Sequence, residues 1–153
     1  MDQTVKVKLA APGARLPAYQ SVGAACFDLF AAAPPFIDST CEALINTGLV
    51  LEIPAGYGMR VYSRSGQGFK HSVSLVNSVG VIDSDYRGIV MIKLVANTVD
   101  GQRYLDNIKA GDSIAQAEIF KIEQISFEVA HTLSETERGE KGFGSTDEKG
   151  GVK

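Results

Sequence analysis

Apolar and polar residues alternate with a period of two along most of this chain. Val5, Val7 and Leu9 alternate with Lys6 and Lys8. Leu49, Leu51 and Ile53 alternate with Val50 and Glu52 and stop at Pro54. Met59 and Val61 alternate with Arg60 and Tyr62, and the runs 89–95 and 114–122 are rich in β-branched residues. Residues two apart share one face of a strand, so these runs predict half-buried strands. Turn signals fall between them at Pro12-Gly13, Pro34-Pro35, Pro54-Ala55-Gly56, Gly66-Gln67-Gly68, Gly101 and Gly111-Asp112. No stretch sustains a 3.6-residue period, and one short helix is expected after Arg64. The pattern points to an all-β sandwich or barrel without internal repeats.

Composition narrows this further. A chain of 153 residues suits one domain. Its 15 basic and 18 acidic side chains leave a charge of −3, with no basic excess for nucleic acid or a membrane surface. No apolar run approaches the roughly 20 residues of a membrane helix. The first six residues, Met1 to Lys6, carry no apolar signal core. Cys26 and Cys41 are the only cysteines and form no C-x-x-C, which fits a reducing compartment. We therefore expect a cytoplasmic protein, with the nucleus or a virus-infected host cell left open. His71 and His131 stand alone, so no zinc site is expected.

The balance shifts near residue 134. Residues 134–153 hold five glycines, nine charges and one aromatic, Phe143. Such a segment lacks the apolar area to offset its ordering entropy. We expect a β domain over 1–133 and a flexible C-terminal arm over 134–153. Composition alone suits a frayed end as well as an arm that orders on a ligand. Arg138, Ser145 and Thr146 offer phosphate-binding chemistry, and Phe143 offers a face for a base.

Two motif likenesses fail on inspection. The run Gly139 to Thr146 has the spacing of a phosphate-binding P-loop, but Ser145 stands where its lysine belongs. Asp83 to Gly88 begins like a calcium loop, but Arg87 and Leu94 stand where oxygen ligands belong. Other segments carry chemistry. The run 77–88 reads as a hairpin that would place Asp83 beside an apolar floor of Val81 and Ile82. A carboxylate so placed can orient and deprotonate a water. Read blandly, it is a solvated turn. Ser63-Arg64-Ser65-Gly66 combines small residues, which let backbone amides approach an anion, with a charged fork. Asp28 stands among apolar neighbours, and Asp112 opens a turn leading to Gln116; a structural role for each is the simpler reading.

Taken in order, five segments resemble the homotrimeric dUTP diphosphatase (dUTPase) family. They are Ala25-Cys26-Phe27-Asp28-Leu29, Ser63-Arg64-Ser65-Gly66, residues 80–88, residues 111–116 and residues 138–146. The resemblance implies a jelly-roll-like (β-clip, dUTPase-like) barrel and a homotrimer with three shared sites. It implies Mg²⁺-dependent hydrolysis of dUTP to dUMP and pyrophosphate, supplying dUMP for dTMP synthesis and keeping uracil out of DNA. Asp83 matches the carboxylate that activates the attacking water, and Tyr86 the ring packed on the deoxyribose. Asn77, Val81, Ile82 and Met91 match positions lining the deoxyuridine pocket. Arg64, Ser65 and Gly66 match a phosphate-contacting triplet, and Gln116 an amide that helps hold phosphate or water. Arg138, Phe143, Gly144, Ser145 and Thr146 match the closing arm, while Asp28 and Asp112 match supporting positions. The metal is held by the triphosphate and water, so no protein ligand to it is implied.

The sequence departs from the family's usual residues at five places. Cys26 replaces a glycine, Gln67 a leucine and Ser113 a frequent arginine. Lys141 and Asp147 stand where glycines are usual. Two alternatives are weighed against the resemblance. A dCTP deaminase, or a bifunctional deaminase and dUTPase, shares the fold but carries a Trp-Ile-Asp-Pro-Gly-like pattern that this chain lacks. A dUTPase-like regulatory binding protein would be marked by loss of Asp83 or of the arm, and both are present.

Overall fold

The computed structural model describes residues 4–37 and 41–142. The chain divides into two compact units, residues 1–123 and 124–153.

In the first unit the strands are β1 (Lys6–Leu9), β2 (Phe27–Phe30), β3 (Phe36–Ile37), β4 (Glu42–Asn46), β5 (Leu49–Glu52) and β6 (Tyr57–Tyr62). Helix α1 (Ser65–His71) follows, then β7 (Val73–Leu75), β8 (Val79–Ile82), β9 (Met91–Ala96), helix α2 (Val99–Asp106) and β10 (Ser113–Lys121). They build two four-stranded sheets, β2-β10-β6-β8 and β3-β4-β9-β7, and a β1-β5 ribbon, all antiparallel. Consecutive strands repeatedly change sheet, so the expected all-β, jelly-roll-like architecture is what forms. Both four-stranded sheets are open rather than closed into one barrel.

The alternation read from sequence does the packing. In β9, Ile92 and Leu94 turn inward while Met91 and Lys93 face out. In β4, Ala43 and Ile45 are buried while Leu44 is not. Leu29, Ile45, Leu49, Met59, Leu94, Leu105 and Ile114 lie fully inside one core. Each such side chain contributes about 1.5–3 kcal/mol of burial. Between Ser113 and Ala115 the β10–β2 register slips, so Ile114 is the extra residue of a bulge.

Two expectations are corrected. The run 77–88 is not a hairpin. Strand β8 pairs with β6, whereas β9 belongs to the other sheet, so residues 83–90 cross between sheets. Gly101 is not in a turn but lies inside α2, where glycine is required because a Cβ would stand 2.5 Å from the His71 carbonyl oxygen. Thr98 caps this helix by accepting from the Gly101 N–H at 3.1 Å.

In the second unit, residues 124–142 form neither helix nor strand. The unit begins before the compositional change at 134, and Ile125, Phe127, Val129 and Leu133 are all exposed on it.

Candidate active site

Strand β8, the turn before it and the first residue of β9 bring together four of the residues singled out in the sequence. Asn77, Val81, Ile82 and Met91 line one pocket of about 330 Å³, with Val61 and Gly80 among its other walls. That volume lies at the small end of the range for small-molecule sites. Ser78 takes a left-handed conformation (φ 60°), which turns the chain into β8. Glycine at 80 keeps the pocket open, since a Cβ would press to 3.2 Å from Val61 Cβ.

Asp83 leaves the end of β8 exposed, and its carboxylate makes no ion pair among the described residues. The loop beyond it is stapled from within. Tyr86 N–H donates to the Asp83 carbonyl at 3.2 Å. The Arg87 guanidinium donates to the carbonyls of Ser84 (2.7 Å), Tyr86 (3.0 Å) and Leu51 (3.4 Å). Tyr86 is half-exposed, and its hydroxyl donates to the Ile89 carbonyl at 3.2 Å. Arg87 thus holds the loop that carries Asp83. Sequence reasoning missed it, although a long donor beside a turn is a signal for such a staple.

Arg64, Ser65 and Gly66 open α1, with no side-chain cap and no acidic residue in its first turn. Ser63 is fixed on both sides. Its hydroxyl accepts from Leu75 N–H at 2.8 Å, and its carbonyl accepts from Gln116 Nε2 at 2.9 Å. Gln116 therefore holds the strand end from which the triplet springs. Asp28 is buried, and its carboxylate pairs with Arg64 Nη2 at 3.3 Å. Asp112 is exposed and caps its own turn, accepting from Lys109 N–H at 2.8 Å.

One separation stands out. Ile82 pairs with Met59 and Val79 with Tyr62, so β6 and β8 run in opposite directions. Asp83 follows the Met59 end of that ladder, and Arg64 follows the Tyr62 end. At strand rise, Met59 to Arg64 spans about 17 Å. Arg138 lies in the second unit, where its Nε donates to the Lys141 carbonyl at 2.9 Å. Phe143, Gly144, Ser145 and Thr146 lie outside the described residues.

Comparison with known proteins places this arrangement. The model of the dUTPase family matches residues 13–147. The deoxyuridine 5'-triphosphate nucleotidohydrolase of Orientia tsutsugamushi is 46% identical over 136 residues, 86% of this chain and 87% of the relative. Its counterpart from Wolinella succinogenes is 40% identical over 135 residues, 88% of each chain. Among solved structures, a Staphylococcus bacteriophage 80alpha dUTPase variant with dUpNHpp superposes with a TM-score of 0.77 at 28% identity, covering 94% of this chain and 98% of that one. The family match spans nearly the whole fold just described, and this chain belongs to the dUTPase family.

Proposed function

We propose that this protein hydrolyses dUTP to dUMP and pyrophosphate. The observation that carries the reading is the pocket lined by Asn77, Val81, Ile82 and Met91, with the exposed Asp83 next in the chain after Ile82. Asn77 supplies amide donors and acceptors for a uracil edge, and Val81, Ile82 and Met91 supply the apolar walls. The 5-methyl of thymine is refused by packing, because thymine and uracil share one hydrogen-bond pattern. Tyr86 presents a flat face to the deoxyribose. Asp83 accepts a proton from a water as its oxygen attacks the α-phosphorus, and pyrophosphate departs. Arg64, with Ser65 and Gly66, and Arg138 on the arm, grips phosphate oxygens.

Magnesium is the metal expected here, beside the exposed Asp83 carboxylate and the substrate phosphates. Mg²⁺ keeps several waters and is commonly bound through substrate phosphates. When bound, it would spread the triphosphate charge that repels the nucleophile.

The site is shared between chains in a homotrimer. Arg64 and Asp83 follow opposite ends of the β6–β8 ladder, roughly 17 Å or more apart along it, too far for both to serve the α-phosphate of one nucleotide from the same subunit. A second copy brings another Arg64 within reach. Ile125, Phe127 and Val129, each two residues from the next, form an exposed apolar stripe suited to pairing with a second copy. Light scattering on a size-exclusion peak should read about three chain masses.

The deciding experiment supplies dUTP, dTTP, dCTP and UTP in turn with Mg²⁺ and measures pyrophosphate and ammonia. Pyrophosphate from dUTP alone supports the reading. Ammonia from dCTP would replace it with a deaminase, and no product from any of the four with a binding-only protein.

A further inference from the structure

Two polar residues that flank the Arg64 guanidinium, Gln67 and Ser113, meet in space. Gln67 lies on α1, three residues after Arg64, and is 2% exposed. Its Nε2 donates to the Tyr104 hydroxyl at 3.0 Å and reaches the Ser113 carbonyl at 3.4 Å. That same carbonyl accepts from Arg64 Nη1 at 3.1 Å. Ser113 Oγ donates to Asp28 Oδ2 at 2.8 Å, the oxygen that also accepts from Arg64 Nη2. Both ends of the Arg64 fork therefore rest on acceptors arranged by Ser113, and its other N–H groups stay available to a ligand. The β10 bulge starts at Ser113, as bulges often do where a site re-aims its groups.

A packing role alone does not explain Gln67. Its buried Oε1 has no hydrogen-bond partner among the described residues. A buried acceptor left so is costly, and a leucine of similar size would avoid the cost. A position where stability is sacrificed beside a binding group is where function is expected. Ser113 contributes by being short. It adds a hydroxyl to Asp28 without bringing a second cation to compete with Arg64.

We propose that Gln67 and Ser113 are positioning residues that fix the Arg64 guanidinium for a nucleotide phosphate. Gln67 steadies the Ser113 carbonyl from one side, with Tyr104 anchoring its amide. Tyr104 is in turn stacked on His71, ring centroids 4.4 Å apart. Ser113 then presents its carbonyl to one guanidinium nitrogen and orients Asp28 toward the other. This rests on the reading of Arg64 as a phosphate-binding group.

The test is a double-mutant cycle on binding. Wild type, Gln67→Leu, Arg64→Ala and the double variant are titrated with a non-hydrolysable α,β-imido analogue of dUTP and, separately, with deoxyuridine. Gln67→Leu should weaken the analogue about tenfold, the scale of one hydrogen bond serving a charged group, and leave deoxyuridine unchanged. In the Arg64→Ala background it should add no further loss. Its melting point should equal or exceed that of wild type. Ser113→Ala, in the same cycle, should show the same coupling and carries the test should Gln67→Leu not fold. Equal losses in both backgrounds, a matching loss for deoxyuridine, or no loss would overturn the positioning role while leaving the dUTP reading intact. A wild-type protein that binds neither ligand would overturn both.

Discussion

The ring of Tyr86 lies so close over Gly88 that a Cβ on that glycine would stand 2.3 Å from the phenolic oxygen. The aromatic wall and the bare backbone behind it are one device. Gly88→Ala should push the ring out of place with little loss of stability, because Tyr86 is half-exposed and can swing away. If Tyr86 packs on the sugar, the variant should also discriminate less between dUTP and UTP. Competition kinetics with the two nucleotides measures this, and wild-type selectivity would remove Tyr86 from the sugar site.

Asp83→Asn keeps the shape of the side chain but gives up most of its basicity. Turnover of dUTP should fall roughly 10²–10⁴-fold, the usual scale for losing a general base. Binding of a non-hydrolysable analogue, followed by calorimetry, should hardly change. A variant with normal turnover would assign the base elsewhere.

Thr47 tests the frame independently of the site. It is fully buried, its hydroxyl donating to the Val90 carbonyl at 2.7 Å and accepting from Leu49 N–H at 3.1 Å. Thr47→Val leaves both backbone groups short of that partner, at about 1–3 kcal/mol. The urea midpoint should drop with the m-value unchanged.

Much of this frame is legible in the sequence because it rests on alternation. The runs around Lys6, Leu49, Met59, Ile92 and Ala117 all became strands, and α1 formed after Arg64. Helix α2 was not legible, since Gly101 there answers a close approach to the His71 carbonyl that only tertiary structure creates. The supposed hairpin at 77–88 failed for a similar reason. Alternation gives the face a strand buries, not the strand it pairs with, and β8 chose β6. Of the proposed nucleoside pocket, Val81 and Ile82 were legible as an apolar floor, Asn77 and Met91 came from family likeness, and Val61 came only from the fold. Gln67 and Ser113 meet Arg64 only because the fold brings α1 and the start of β10 together, which no run of sequence spells out.

Tyr62 should ionise later than a free phenol. Its hydroxyl donates to Glu118 at 2.6 Å, and that hydrogen bond, with burial and the Glu118 charge, raises its pKa. The neutral phenol is the donor. Its contribution to stability is therefore complete below the unfolded phenol pKa of about 10 and is lost as pH climbs through the higher folded value. The difference between the ultraviolet titrations of wild type and Tyr62→Phe should place the Tyr62 phenolate above its ordinary range, and Glu118→Gln should lower it. A lag that survives Glu118→Gln would point to another cause.

The distance between Asp83 and Arg64 along β6 and β8 has a genetic consequence. If each site draws the two residues from different chains, two dead proteins can revive one another. A chain with Asp83→Asn still offers a sound Arg64, and a chain with Arg64→Ala still offers a sound Asp83. Denatured together in equal amounts and refolded, they should assemble at random, with one sound site in each mixed trimer and about a quarter of all sites intact. Activity recovered from two inactive parents would mean that these alleles complement within the oligomer. A mixture as silent as its parts would mean that each subunit works alone.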